Sequence, residues 1–233
     1  MRYFLTVITL VGFSLKSHAQ KKQVSAELLT AKQWATICTD SLLKQNNIQY
    51  PIYKVYKFTD KSGTYYCLLT ESDDEINTNG DTLSHHIKAI QLKAGTDSFS
   101  RVWEINDHIV KDERDENSIW FWTKYMEFKD YNGDGLIDPV IIYGTSGMNG
   151  YDDGRIKFII YFNGQKIAIR HQNGVLDSER ETQVDKAFYS LPAAMQSAIQ
   201  DKMELMMENN HAIFPAGWDK AMKNKKTFFS ERN

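Results

Sequence analysis

The chain has 233 residues, 42% of them hydrophobic and 25% charged, with 28 Lys and Arg against 30 Asp and Glu. That length supplies one good core, or two small lobes, without help from metals or disulfides. A net charge of −2 with no clustered basic face excludes a phosphate-tracking, nucleic-acid-binding protein.

The N-terminus predicts export. Arg2 supplies a positive n-region, residues 4–15 are an uncharged apolar stretch, and Lys16-Ser17-His18-Ala19 is a more polar end. Ser17 and Ala19 are the small residues that a signal peptidase accepts three and one positions before the cut. Residues 1–19 are therefore expected to be a signal peptide, with the mature chain starting at Gln20. The alternative, a permanent anchor, is disfavoured because the apolar stretch is shorter than the roughly 20 residues that span a bilayer. No Cys stands at the cut to carry a lipid, and no later segment resembles a membrane span. The expected location is periplasmic or extracellular. Such a compartment permits a disulfide, so Cys38 and Cys67 are either a bridge or two separate buried thiols.

In the mature part, residues 28–43 carry Leu29, Trp34 or Ala35, Ile37, Leu42 and Leu43 along one stripe and predict a helix. Asn46-Asn47 would end it and Pro51 forbids its continuation. The period then changes to two. Residues 52–58 and 65–70 predict a hairpin turning at Asp60-Lys61-Ser62-Gly63. Residues 72–84 are polar and acidic and predict a surface loop that buries nothing. Strands are expected at 86–93 and 99–109. A charged connection follows at 111–117, and then a single aromatic-rich strand over 118–129.

Short apolar strands are predicted at 139–143 and 155–162. Asn163-Gly164 then separates residues 159–162 from 165–170, and Asn-Gly between alternating runs is the strongest short hairpin signal, since both central residues need positive φ. Ser190-Leu191-Pro192 opens a helix with Ser190 as its N-cap, and Leu191, Met195, Ile199, Met203 and Met206 recur at helical spacing. The expected class is α+β: a mainly antiparallel sheet built from hairpins, with an N-terminal and a C-terminal helix, forming one domain over 20–233. The basic end at 219–233, with Lys220, Lys223, Lys225 and Lys226, is expected to be a solvated, loose tail.

One constellation carries chemistry. Residues 130–138 read Asp-Tyr-Asn-Gly-Asp-Gly-Leu-Ile-Asp, placing Asp130, Asn132, Asp134 and Asp138 at positions 1, 3, 5 and 9 of a loop, with Gly135 at position 6. A hard cation such as Ca²⁺ takes six to eight oxygens, and the carbonyl of Leu136 is the expected backbone ligand. The EF-hand pattern fails at position 12, where Ile141 replaces the bidentate Glu, and the flanks read as strands. The segment resembles instead the strand–loop–strand calcium loops of dockerin-like and propeller-blade repeats, over about ten residues and only once. Asp152 or Asp153 is a candidate for the missing ligand, and the alternative is a plain turn rich in Asx and Gly.

Other candidates are weaker. Tyr151, Asp152, Asp153, Arg170 and His171 could line a polar ligand pocket, or belong to solvated loops. Ser146, in Gly144-Thr145-Ser146-Gly147, lacks the spacing of a nucleophile elbow and reads as part of a flexible loop. The histidines His85, His86, His108, His171 and His211 show no metal-helix spacing. Met203, Met206 and Met207 read as core filler.

Several segments together carry a family likeness: Phe58-Thr59-Asp60-Lys61-Ser62-Gly63, Trp103-Glu104-Ile105-Asn106-Asp107, residues 143–155, Arg170-His171-Gln172-Asn173-Gly174, Ala212-Ile213-Phe214-Pro215 and Gly217-Trp218. They are similar to small exported bacterial proteins of a surface-polysaccharide (lipopolysaccharide) biosynthesis family. The resemblance spans most of the mature chain and implies a process, with no catalytic set to transfer. Three functions follow as expectations: an accessory protein of surface-polysaccharide assembly with a structural calcium site; a hydrolase acting on glycans or the cell wall; or a non-catalytic module. The implied partner is a surface glycan or an envelope protein.

Overall fold

Residues 26–111 and 115–231 are described by a computed structural model, and the leader expected at 1–19 lies outside them. In chain order the elements are β1 (Glu27–Leu28), α1 (Ala31–Ala35), α2 (Asp40–Gln45), β2 (Ile52–Asp60), β3 (Gly63–Glu71), β4 (Glu75–Ile76), β5 (Thr82–Leu83), β6 (His86–Ala94) and β7 (Phe99–His108). They continue with β8 (Ser118–Phe121), β9 (Glu127–Lys129), β10 (Asp138–Ser146), β11 (Arg155–Phe162), β12 (Gln165–Gln172), β13 (Glu181–Val184), α3 (Ala193–Glu208), α4 (Trp218–Lys223) and β14 (Phe228–Ser230).

Among the described residues two large antiparallel sheets form, with β4 and β5 a separate two-stranded ribbon. One runs β1-β2-β3-β6-β7 and the other β14-β13-β12-β11-β10-β8, with β9 also pairing β10. Strand alternation sorts the side chains into three layers. Cys67, Leu69, Ile105, Ile119, Ile141, Ile159 and Tyr161 pack between the sheets. Ile142, Phe158, Ile160 and Ile169 point the other way, onto Met195, Ile199, Met203 and Met206 of α3. Leu68 and Ile90 point outward from the first sheet onto Leu29, Cys38 and Leu42 of the N-terminal segment. Central strands buried on both faces read as continuous apolar runs, which is why β10 and β11 lack clean alternation.

The balance of elements corrects the expected class. Antiparallel sheet dominates, and the helices are few and short and do not sit one at each end of the chain. Over 28–43 the single expected helix does not form. Leu28 pairs with Tyr56 in a strand, and Thr30 and Thr39 each cap a separate short helix, Thr30 through a reciprocal box with Gln33. A Thr side chain that bonds the backbone N–H three residues on starts a helix and competes with the continuation of an earlier one. At the other end, α3 is followed by α4 and by β14, which adds to the second sheet. The segment expected to be a loose tail thus packs Ala221, Met222 and Phe229 into the core, while Lys220, Lys223, Lys225 and Lys226 stay exposed.

Smaller corrections have local causes. The aromatic strand expected over 118–129 breaks into β8 and β9, both pairing β10, with a turn between them closed by the Tyr125 N–H on the Trp122 carbonyl. Residues 72–84 contain the β4–β5 ribbon, and Ser72 and Ser84 at its ends are buried. Ser190 ends a 3-10 turn instead of capping α3, whose N-cap is Pro192. Met207 stays partly exposed while Met203 and Met206 are core. The hairpins at 60–63 and 163–164 form as predicted, with Asn163 at φ 49° and Gly164 at φ 74°.

Candidate functional site

The Asp130–Asp138 loop joins β9 to β10 at one end of the sandwich, and its carboxylates organise the backbone around them. Asp130 accepts N–H bonds from Gly133 (2.7 Å), Asp134 (3.2 Å) and Gly135 (2.8 Å). Asn132 accepts from the Asp134 N–H and donates to the Asp134 carboxylate, both at 3.0 Å. Gly133 and Gly135 take φ of 75° and 83°, the left-handed conformation that lets alternate side chains turn inward. Asp138 is 3% exposed and accepts from the Tyr131 N–H at 3.2 Å. Burial pushes its carboxyl up to about 6, and the charges of Asp134, Asp130 and Asp60 push the same way.

Asp60 is the residue that sequence reasoning missed at this place. It belongs to the β2–β3 turn of the other sheet and accepts from the Ile137 N–H (3.1 Å) and the Ser62 N–H (2.7 Å). Beside it Lys61 donates its backbone N–H to the Gly135 carbonyl at 3.0 Å and its ammonium to the Asp134 carbonyl at 2.5 Å. The loop therefore clasps the two sheets together. Asp152 and Asp153, the other candidates for a missing ligand, do not come here: Asp153 lines a separate cleft with Asn149, whose N–H and amide it accepts. The one signal for Asp60 was its Asx-turn setting in Asp-Lys-Ser-Gly; nothing local linked that turn to a loop some seventy residues on.

The fit to a hard cation is good in donor type and incomplete in arrangement. Asp60, Asp130, Asp134 and Asp138 are all oxygen donors, and among the described residues none of them forms an ion pair with a Lys or Arg side chain. Each carboxylate oxygen has two lone pairs, so accepting one N–H leaves capacity for a metal. Among the described residues, however, no three His, Cys, Asp or Glu side chains are already gathered at coordinating distance. Filling the site requires side-chain rotation within the loop.

The five residues of the predicted pocket are divided: Arg170 and His171 line one cleft and Asp153 another. Tyr151 stacks on His211 at 4.5 Å and meets Trp120 and Trp122 edge-on. Asp152 is exposed, and Arg170 pairs with Asp185 at 2.8 Å. His171 is buried, bonded to Asn173 Oδ1 (2.7 Å) and Thr182 Oγ1 (2.9 Å), and burial lowers its imidazole to about 4. Nor is Gly144 to Ser146 a loop: it is strand β10, with Thr145 buried. Cys38 and Cys67 are free thiols in different layers, one outside the first sheet and one between the sheets. Burial raises both, Cys38 to about 11.

No protein-family model, curated protein or solved structure matches the chain.

A charge network was also hidden in the sequence. Glu116, in the segment expected to be a charged connection, is buried and binds Arg155 Nε at 2.7 Å, Thr145 Oγ1 at 3.0 Å and the Val110 N–H at 2.7 Å. Arg155 also pairs with Asp107 at 3.1 Å, and Asp107 takes Lys157 at 2.6 Å and the Tyr143 hydroxyl at 2.9 Å. Burial alone would raise the Asp107 carboxyl; Lys157 and Arg155 outweigh it and hold it below the usual range. With every charge paired internally, this cluster is structural.

Proposed function

We propose that this chain is an exported accessory protein of cell-surface polysaccharide assembly whose sandwich is tied by a calcium ion in the Asp130–Asp138 loop. The observation that carries the ion is the meeting of the Asp60 turn with the loop, through the Ile137 N–H, beside the buried Asp138 carboxyl, which burial and the charges of Asp134, Asp130 and Asp60 push up. A cation there offsets the mutual repulsion of four carboxylates and links the β2–β3 turn to the loop between β9 and β10. The ligands are Asp130, Asn132, Asp134 and Asp138 with the Leu136 carbonyl, and Asp60 is added to the set. The process and the export rest on the sequence resemblance and on the leader pattern.

The test of the ion is a thermal melt of the protein from Gln20 onward in chelator and then in millimolar calcium. Calcium at 100 times its dissociation constant adds about 2.7 kcal/mol, or roughly 5–10 °C for a chain of this size. Asp134→Ala is expected to abolish the shift; equal midpoints with and without calcium in the unmutated protein would remove the ion from the proposal. For the process, a deletion strain is expected to show altered surface glycans on a gel, and an unchanged ladder refutes it.

A hydrolase is favoured by one feature: a cleft of about 610 Å³ that gathers Asp115, Asp153, Glu179 and Glu181 beside the exposed Met148. A retaining or inverting pair needs two carboxyls about 5–9 Å apart. Release of reducing ends from purified envelope glycan, lost in Asp153→Asn, is the result this second reading requires.

A further inference from the structure

Next to the cation loop, a second cleft of about 210 Å³ opens between the sheets. Its walls include Asp60, Asp138, Gln91, Trp103 and Tyr161. Three of these side chains carry a buried polar atom with no hydrogen-bond partner: Gln91 Oε1, Trp103 Nε1 and the Tyr161 hydroxyl. Gln91 is 5% and Tyr161 8% exposed. A buried polar group left unpaired destabilises the fold, so three on the walls of one small cleft are a concentrated penalty for the free protein.

Strand geometry places them there. Gln91 faces Trp103 across β6 and β7, and the next pair is Leu92 with Arg101, so Val102 is an extra residue bulged out of the ladder. A bulge bends its strand and re-aims the neighbouring side chains, and bulges concentrate beside sites. Here it leaves Val102 half-exposed at the cleft and sets Trp103 flat on Tyr161 of the opposite sheet, with ring centroids 4.3 Å apart and planes at 9°.

We propose that this cleft binds one uncharged, polyhydroxylated ring, a single sugar unit, which parts the Trp103–Tyr161 stack so that the enclosed polar atoms of Gln91, Trp103 and Tyr161 turn onto its hydroxyls. The chemistry narrows the class. An indole N–H can only donate, so the ligand must accept; Gln91 Oε1 can only accept, so the ligand must donate. A hydroxyl does both, whereas an ammonium cannot accept from Trp103. Among the described residues no Lys, Arg or His lines the cleft, and Asp60 and Asp138 on its wall repel a phosphate or carboxylate. Asp60 and Asp138 are further acceptors for hydroxyls. The volume lies below the roughly 300–1,000 Å³ of pockets for drug-sized ligands, which suits one ring and not a chain segment. The site stands on its own geometry; only the choice of glycan sugars as probes rests on the process proposed above.

The experiment is a titration of ¹⁵N-labelled protein, from Gln20 onward and with calcium present, by the methyl glycosides of glucose, galactose and mannose and by N-acetylglucosamine. The Trp103 indole cross-peak, assigned with Trp103→Phe, is followed. At least one sugar is expected to move it saturably, and Gln91→Leu and Tyr161→Phe are each expected to weaken that binding about tenfold. Neither variant should lower the melting midpoint, because the atoms removed have no partner in the free protein. The proposal is overturned if no sugar moves the indole, leaving ordered water as the partner of these atoms. It is also overturned if glycerol moves the indole equally, if both variants bind like the unmutated protein, or if either variant melts lower. Sugar binding with an unchanged glycan ladder in the deletion strain would keep the site and discard the process; the reverse result would do the opposite.

Discussion

His171 shows how a polar residue in a strand can be wholly structural. It is 2% exposed and its ring is bonded through both nitrogens, so the imidazole is held almost wholly inside the protein. Burial holds it at about 4, against about 6.5 in an unfolded chain. Between those values the unfolded state binds the proton and the folded state does not. Stability from this group is therefore complete above pH 6.5 and is lost as pH falls toward 4. The loss is on the order of 3 kcal/mol. Urea unfolding at stepped pH is expected to show that slope, and His171→Gln to flatten it; an unchanged slope would assign the acid sensitivity to other groups. Gly144 makes a different residue-scale point. A Cβ there would lie 2.6 Å from the Trp122 ring and 2.7 Å from the Arg155 carbonyl. Its reason is close approach inside a strand, which cannot be distinguished in the sequence from a flexible Gly-Thr-Ser-Gly loop.

At the scale of elements, the Arg155–Glu116 pair joins β11 to the segment ahead of β8. The Glu116 side chain is fully buried and Arg155 is 11% exposed. Removing one partner of a buried pair strands the other charge and costs about 3–5 kcal/mol. Arg155→Met is expected to lower the urea midpoint accordingly, and the double variant with Glu116→Gln to recover part of the loss. If the single variant is as stable as the unmutated protein, the network carries no net stability. Local signals read well at this scale wherever a turn sets its own register: Asn163-Gly164 and Asp60-Lys61-Ser62-Gly63 both close hairpins where periodicity places them. They read poorly where an element is ended by something distant. The break at 122–126 follows from β10 accepting two separate segments, and no residue in 118–129 announces it.

At the scale of the whole molecule, stability depends on the far C-terminus. Phe229 sits in the layer beneath α3, and β14 bonds β13 along the outer edge of the second sheet. Replacing a buried Phe by Ala costs about 3–5 kcal/mol, toward the lower end at an edge that can relax. Phe229→Ala is expected to lower the thermal midpoint by several degrees and to open residues after 218 to limited proteolysis. An unchanged midpoint and digest would mean that the tail does not belong to the cooperative unit. Among the described residues no helix is long and apolar enough to cross a membrane.

The long strands from β2 to β12, two hairpins, the apolar face of α3 and the oxygen-rich loop were legible in the sequence because each depends on residues within a few positions of one another; the short strands β1, β4, β5, β13 and β14 were not. The expected helix at each end was not, since Thr30 and Thr39 restart the N-terminal turn and β14 follows the last helix. Tertiary structure alone decided which strands are buried on both faces, that Cys38 and Cys67 lie in separate layers, and that Asp60 joins Asp130, Asp134 and Asp138. It alone brought Gln91, Trp103 and Tyr161 to one cleft. The physical reason is common to all of these: they depend on segments far apart in the chain coming together, and sequence spacing carries no record of which sheet or layer a segment will join.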